Sequence, residues 1–163
     1  MNKNPQLNQL IMLCGIPTSG KTSYLANYVI EEVRFDYAVL STDSYIDNRA
    51  RDNDLTYDEA FNTFIKDAQR RLTFDLERAI RGNQSIIWDQ TNLTPKARKG
   101  KLALVPAHYK KVAIWFDLSL EDALIRNQNR PGKVIPAPVL KSMFRSFTPP
   151  TLSEGFDQII KGN

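Results

Sequence analysis

The segment 15–22, with the sequence GIPTSGKT, constrains the fold more than any other part of the chain. It matches the pattern G-x-x-x-x-G-K-[ST] at every fixed position. A short apolar run, residues 10–14, comes directly before it, and apolar residues up to Val33 follow it at helical spacing. This order predicts a buried parallel strand, a glycine-rich loop and a helix, which is the context in which the pattern binds phosphate.

The residue types of this loop indicate how it would bind a nucleotide. Gly15 and Gly20 let the backbone turn sharply, so that its N–H groups approach phosphate oxygens at the positive end of the next helix. Lys21 is expected to bridge the terminal phosphates, and the Thr22 hydroxyl is expected to bind Mg²⁺. The alternative is a glycine turn that precedes a helix by chance, but chance would not also supply the flanking strand. The loop residues predicted to contact the nucleotide are Gly15, Thr18, Ser19, Gly20, Lys21, Thr22 and Ser23.

Length and composition fit one ordinary globular domain. The chain has 163 residues, and residues 1–9 are polar and expected to be disordered. A formal net charge of +4 suits a polyanionic ligand without requiring one. The single cysteine, Cys14, excludes an internal disulfide. No signal peptide is recognisable and no apolar run approaches the length of a membrane span, so a cytoplasmic protein is expected.

Apolar runs alternate with helix signals along the rest of the chain. Further strands are predicted at 37–41, 85–89, 112–117 and, as an optional fifth strand, 156–160. Helices are predicted from the capping box Thr56–Glu59 to Gly82, over 95–105, from Ser119, and over 136–147. The polar segment 42–55 is either a functional loop or partly helical. This alternation predicts an α/β fold with a parallel sheet and a ligand site at the carboxyl ends of the strands.

A carboxylate follows three of the predicted strands: Asp43, Asp89 and Asp117. Asp43 is placed to accept the proton of an acceptor hydroxyl as that oxygen attacks a terminal phosphorus, unless it only caps a turn or helix. Asp89 ends an apolar run and either holds Mg²⁺ or caps the residues that follow it. Asp117 is interpreted as structural, because the sequence Asp-Leu-Ser is also a good strand-to-helix turn.

Two groups of basic residues are candidates for contacts to phosphate. Arg126 and Arg130 share one helix face before a proline and glycine break. They either close onto nucleotide phosphates as a lid or form a solvated helix end. The second group, Lys96, Arg98, Lys99 and Lys101, is either a solvated face or a contact to a polynucleotide backbone.

Five segments together resemble the kinase domain of phage polynucleotide 5′-kinase and its relatives. They occur in the family's order: 15–22, 41–45, 89–95, 126–130 and 135–144. The resemblance implies a P-loop fold and transfer of the γ-phosphate of ATP, with Mg²⁺, to the 5′-hydroxyl of DNA or RNA. It also implies that Lys21 and Thr22 are the loop lysine and hydroxyl, Asp43 the general base, and Arg126 and Arg130 the lid arginines.

The chain departs from that family at two positions. Ile46 stands where the phage enzyme has an arginine that holds the acceptor's phosphate, and Arg49 or Arg51 is a candidate substitute. Gln90 separates Asp89 from the following threonine, whereas the phage enzyme has the aspartate directly before the threonine. The phage member also carries a phosphatase domain, which is not expected here because 163 residues are too few for a second domain of that kind.

The sequence therefore predicts one P-loop kinase domain over residues 1–163, with a three-layer α/β/α fold, strand order 2-3-1-4, an optional fifth strand and a helical lid. The predicted activity is that of a polynucleotide 5′-hydroxyl kinase acting in nucleic acid repair. The predicted catalytic residues are Asp43, Lys21, Arg130 and Arg126, and the predicted metal-binding residues are Thr22 and Asp89. A kinase for a small hydroxyl substrate and a non-catalytic ATP-binding switch remain as alternatives. No membrane contact is expected, and formation of a homo-oligomer is left open.

Overall fold

Strands and helices alternate along the chain. The computed structural model describes residues 8–31 and 37–162. The strands are β1 (Gln9–Cys14), β2 (Tyr37–Leu40), β3 (Ser85–Asp89), β4 (Lys110–Phe116) and β5 (Gln158–Gly162). The helices are α1 (Lys21–Glu31), α2 (Thr42–Asp52), α3 (Tyr57–Arg81), α4 (Pro95–Leu102), α5 (Leu120–Gln128) and α6 (Ala137–Ser146), and a 3₁₀ turn, Leu152–Glu154, precedes β5. Residues 1–7, most of the segment expected to be disordered, and Val33 of the expected first helix lie outside the described residues.

The five described strands form one parallel sheet in the order β2-β3-β1-β4-β5. The predicted order and the optional fifth strand are both confirmed. β1 lies at the centre of the sheet, and its residue Leu13 pairs with Asp89 on one side and with Ile114 on the other. The loop after β1 therefore lies between the carboxyl ends of β3 and β4, where ligands bind in sheets of this kind.

Helices cover both faces of the sheet, which explains the uninterrupted apolar runs in the strands. The even-numbered residues of β1 point to one face, where Leu76 of α3 and Leu102 of α4 complete a core. Residues 11 and 13 point to the opposite face and pack with Leu25 of α1. The result is the predicted three-layer α/β/α arrangement.

Capping side chains determine where the helices around the site begin. Thr56 and Glu59 form the predicted capping box at the start of α3, and Glu59 Oε2 accepts a hydrogen bond from the Thr56 N–H at 2.9 Å. The segment 42–55 is largely helical, because α2 begins directly after Ser41, whose hydroxyl accepts from the Ser44 N–H. None of the described helices is both long enough and apolar enough to cross a membrane.

The last strand begins two residues later than predicted. The Lys111 N–H donates to Asp157 Oδ2 at 2.7 Å, and the Asp157 N–H donates to the Lys111 carbonyl at 2.8 Å. This reciprocal pair turns Phe156 into the core, where it is 4% exposed. Regular pairing with β4 therefore starts only at Gln158.

Candidate active site

Two positions of the loop 15–22 require glycine, one for lack of space and the other for its backbone conformation. A Cβ at position 15 would lie 2.6 Å from Ser19 Oγ and 3.3 Å from Phe116 Cβ. Gly20 has a φ angle of 99°, a left-handed conformation that disfavours every residue with a side chain. The loop backbone and the N-terminus of α1 thus meet at one place, which favours binding of an anion.

Lys21, the first residue of α1, is folded back onto the loop. Its Nζ donates to the carbonyl oxygens of Gly15 at 2.8 Å and Ile16 at 2.7 Å. Burial lowers the pKa of Lys21 to about 8, and the carboxylates of Asp89 and Asp43 partly oppose this shift. None of the described carboxylates lies within ion-pair distance of Nζ. The ammonium therefore has only neutral groups of the loop as close partners, namely the two carbonyls and the Ser19 hydroxyl at 3.5 Å, and these can be exchanged for phosphate oxygens.

Asp43 and Asp89 lie at the same edge of the sheet as Lys21. Asp43 is in the first turn of α2, and its Oδ1 accepts a hydrogen bond from the Tyr57 hydroxyl at 2.9 Å. Burial raises the pKa of Asp89, with Lys21 lowering it and Asp43 raising it further. Both carboxylates thus lie close enough to Lys21 for their charges to act on its pKa. Asp117, interpreted as structural, instead forms an exposed ion pair with Lys161 of β5 at 2.9 Å.

The residues predicted to bind Mg²⁺ form an open donor set. The Thr22 side chain is exposed at the start of α1, and Asp89 ends the neighbouring strand. No cluster of three or more metal-binding side chains occurs among residues 8–31 and 37–162. A hydroxyl and one carboxylate fit Mg²⁺ that is held chiefly by nucleotide phosphates and water, which is how proteins often bind this ion.

Of the two predicted lid arginines, Arg126 lies in the last turn of α5, which packs beside the loop, and Arg130 lies two residues beyond its end. The two therefore do not share one helix face as predicted. Arg126 Nη1 donates to the Thr18 carbonyl at 3.3 Å. Arg130 lies close enough to Lys21 and Tyr57 for its charge to oppose protonation of Lys21 and to favour ionisation of Tyr57. The structure thus places Arg126 on the loop 15–22 and Arg130 within electrostatic range of Lys21.

A buried asparagine shapes the segment after the arginines. Asn127, 3% exposed, donates to the Ile135 carbonyl at 2.7 Å and accepts from the Ile135 N–H at 3.0 Å. This clamp closes residues 128–134, which we call the lid segment. Its Lys133 forms an ion pair with Asp47 of α2. The sequence does not predict this pair, because its two residues are 86 positions apart.

The connection from β3 to α4 is held by Asn92. Its side-chain amide donates to the Leu13 carbonyl at 2.6 Å, and the Gly15 N–H donates to the Thr91 carbonyl at 2.9 Å. Asp89 makes no side-chain hydrogen bond within the described part of the chain, which leaves it available to a ligand. Gln90, the extra residue relative to the phage kinase pattern, donates to the Thr42 hydroxyl at 3.1 Å. Gln90 thus joins this connection to the residue just before Asp43.

The basic run on α4 is neither one solvated face nor one surface for a polynucleotide. Arg98 is completely buried and pairs with Glu154 through two hydrogen bonds of 2.8 and 2.9 Å. Lys101 is half-buried and binds Gln90 and Asn92, and burial lowers its pKa to about 8. Only Lys96 and Lys99 are exposed. Both expectations for this run are therefore wrong for Arg98, which packs against the C-terminal segment, and for Lys101, which packs against the connection from β3 to α4.

Ile46, the departure from the phage pattern, is a core residue. It is 0% exposed and packs with Ala60 of α3. Arg49, a candidate substitute for the missing arginine, donates to the Tyr45 hydroxyl at 3.1 Å and lines a polar groove of about 390 Å³ between α2, α3 and β2. Arg51 donates to Asn48 at 2.6 Å. Position 46 therefore holds α2 against α3, and both arginines have partners of their own on α2.

A family model described as "AAA domain" matches residues 10–150. Among curated proteins, L-seryl-tRNA(Sec) kinase of Methanococcus maripaludis is 27% identical over 151 residues, which cover 91% of this chain and 56% of that protein. The chain thus spans about half the length of this relative.

Two solved structures illustrate the likeness in fold. A Chloroflexus aurantiacus protein, assigned but not demonstrated as a kinase, superposes with a TM-score of 0.69 at 16% identity, over 96% of this chain and 89% of that one. A chain of the Pnkp1/Rnl/Hen1 RNA repair complex superposes with a TM-score of 0.64 at 17% identity, over 90% of this chain and 46% of that one. At sequence identities of 16% and 17%, the structural similarity establishes a shared fold alone.

Proposed function

This chain belongs to the AAA domain family, and from that premise we propose that it is a P-loop kinase that transfers the γ-phosphate of ATP to the 5′-hydroxyl of DNA or RNA. One observation carries the proposal: Asp43, Asp89 and Arg130 lie within electrostatic range of Lys21, and Arg126 binds the Thr18 carbonyl of the same loop. This set suits phosphoryl transfer to a hydroxyl, because its cations neutralise phosphate charge while a carboxylate accepts a proton.

Each residue has a distinct part in the proposed reaction. Lys21 exchanges the Gly15 and Ile16 carbonyls for oxygens of the terminal phosphates. Asp43 takes the proton of the acceptor hydroxyl. At the same time the hydroxyl oxygen forms a bond to the γ-phosphorus, and the bond between the γ-phosphorus and the β-phosphate oxygen breaks. Arg126 and Arg130 stabilise the charge that builds up on the transferred group. Thr22 and Asp89 would hold Mg²⁺, which supplies further charge neutralisation when bound.

Two of the similar proteins support a nucleic acid as the acceptor. The curated relative is named as a kinase for a tRNA-linked serine, and one structural relative belongs to an RNA repair complex. The net charge of +4 also favours a polyanion over a neutral sugar. By analogy with the repair complex, the product end would be used in nucleic acid repair.

The proposal is tested by offering labelled ATP with different acceptors. We expect label to be transferred to DNA or RNA oligonucleotides that carry a 5′-hydroxyl, and not to the same oligonucleotides with a 5′-phosphate. Seryl-tRNA, a nucleoside and a simple sugar complete the panel. Preferential labelling of any of these three would replace the polynucleotide end as the substrate. An ATPase rate that no acceptor changes, without labelled product, would instead support the non-catalytic switch.

We predict that ATP affinity falls above pH 8 because burial lowers the pKa of Lys21 to about 8. The neutral amine binds phosphate weakly, so the Kd for ATP should rise about tenfold for each pH unit above that value. The pKa of Lys21 is about 8 in the folded protein and 10.5 in the unfolded chain. Because the unfolded chain binds more protons between these values, the free energy of unfolding of the nucleotide-free protein should rise from pH 8 to pH 10.5. Calorimetric titration between pH 7 and 10 measures the effect.

The matched control for this titration is Lys101→Met. Lys101 is the other described lysine whose pKa burial lowers to about 8, but it binds Gln90 and Asn92 rather than the loop. The variant should keep the wild-type pH dependence of ATP binding. A flat profile in the wild-type protein, or one abolished by Lys101→Met, would contradict the assignment to Lys21.

A further inference from the structure

Tyr57 connects the proposed general base to the lid segment. Its hydroxyl donates to Asp43 Oδ1 at 2.9 Å, across the turn that joins α2 to α3. Lys133 Nζ of the lid segment lies 4.5 Å from the centre of the Tyr57 ring, within the range of a cation–π interaction. The same ammonium pairs with Asp47, one helical turn after Asp43 on α2. Tyr57 therefore contacts the carboxylate through its hydroxyl and the lid segment through its ring.

The position of the Tyr57 hydroxyl is fixed by the core, whereas the Asp43 side chain is exposed. The Tyr57 ring packs against the cluster formed by Ile46, Ala60 and Ala68. Burial and the nearby Asp43 charge raise the pKa of Tyr57, so the phenol remains a hydrogen-bond donor at neutral pH. An exposed carboxylate samples several rotamers unless a partner selects one. A rigidly held donor is such a partner.

The hydrogen bond also distinguishes the two oxygens of Asp43. Oδ1 is occupied by Tyr57, while Oδ2 accepts no hydrogen bond from the part of the chain that the structure describes. A carboxylate can accept a proton on one oxygen while the other stays hydrogen-bonded. The free oxygen is the one available to an acceptor hydroxyl.

We propose that Tyr57 is a positioning residue that orients Asp43 toward the acceptor hydroxyl, and that Lys133 holds the Tyr57 ring in place when the lid segment is closed. This inference rests on the proposed function, because it assigns a role relative to the proposed base. It applies to any hydroxyl acceptor, since it concerns the proton acceptor and not the rest of the substrate.

The decisive variant is Tyr57→Phe, which removes the hydroxyl but keeps the ring, its packing and its contact with Lys133. We expect kcat to fall roughly 10- to 100-fold, the range for loss of a hydrogen bond to a charged group, while the KM for ATP and the melting temperature stay unchanged. In an Asp43→Asn background the same change should cost nothing further, because the group on which Tyr57 acts has been removed.

Tyr45→Phe is the matched control. Tyr45 packs against the same α2–α3 core, and its hydroxyl contacts Arg49 instead of Asp43. We expect wild-type kcat from this variant. A Tyr57→Phe enzyme with wild-type kcat, or an equal loss in both phenylalanine variants, would overturn the positioning role while leaving the kinase assignment intact. A wild-type enzyme that phosphorylates no hydroxyl acceptor would overturn both.

Discussion

Replacing Asp43 with asparagine should lower the rate of phosphoryl transfer about 10²- to 10⁴-fold, the usual contribution of a general base. Asparagine has the same shape and its oxygen can still accept the hydrogen bond from Tyr57, but it cannot take up a proton at neutral pH. ATP affinity should change little, because Asp43 lies on α2 and not on the nucleotide loop. Turnover with the preferred acceptor and equilibrium binding of ATP are the two measurements.

Asp52→Asn is the control for this prediction. Asp52 lies at the other end of the same helix, is exposed, and loses the same charge in the variant. Its turnover should equal that of the wild-type enzyme. If Asp43→Asn turned over at a nearly normal rate, Asp43 would be excluded as the proton acceptor, and the non-catalytic switch would regain support.

The largest expected loss of stability comes from Arg98→Met. Arg98 is completely buried, pairs with Glu154, and donates to the carbonyls of Asn92 at 2.9 Å and Thr148 at 2.9 Å. Removing one member of a buried pair leaves the other charge without compensation, so the free energy of unfolding should fall by about 3–5 kcal/mol. Urea denaturation followed by circular dichroism measures the change.

Two further variants separate the buried pair from a general effect of lost charge. Lys99→Met removes a cation from the exposed side of the same helix and should change the free energy of unfolding by no more than about 0.5 kcal/mol. The double variant Arg98→Met with Glu154→Met leaves no unpaired charge and should recover part of the loss. An Arg98→Met protein as stable as Lys99→Met would show that the pair contributes little.

Much of the fold follows from local patterns. The apolar runs become the strands of the sheet, the capping box at Thr56 starts α3, and the proline after Thr94 starts α4. Such signals depend on side chains within a few positions of one another, so a sequence contains them in full. The nucleotide loop belongs to the same class, since its glycines and Lys21 act within eight consecutive residues.

Local sequence patterns predicted only part of the candidate site. The carboxylates after β2 and β3 were expected near the loop, because the carboxyl ends of parallel strands meet at one edge. The partner of Asp43 was not expected, since Tyr57 comes 14 residues later and belongs to another helix. The role of Asn127, whose side chain binds the backbone of Ile135 and so shapes the lid segment, was also not expected.

Sequence alone determined the parallel α/β sheet and the phosphate-binding loop, because periodicity and cap chemistry are local properties of the chain. The strand order was expected from the resemblance to a P-loop kinase family. Tertiary structure decided which charges are buried and which face the cavity. In the sequence, four basic residues among six positions of α4 form one basic run. In the structure, packing against the C-terminal segment buries Arg98 completely, whereas Lys99 remains exposed. The environment of a side chain depends on elements far away in the sequence, and that environment sets its pKa, its partners and its chemistry.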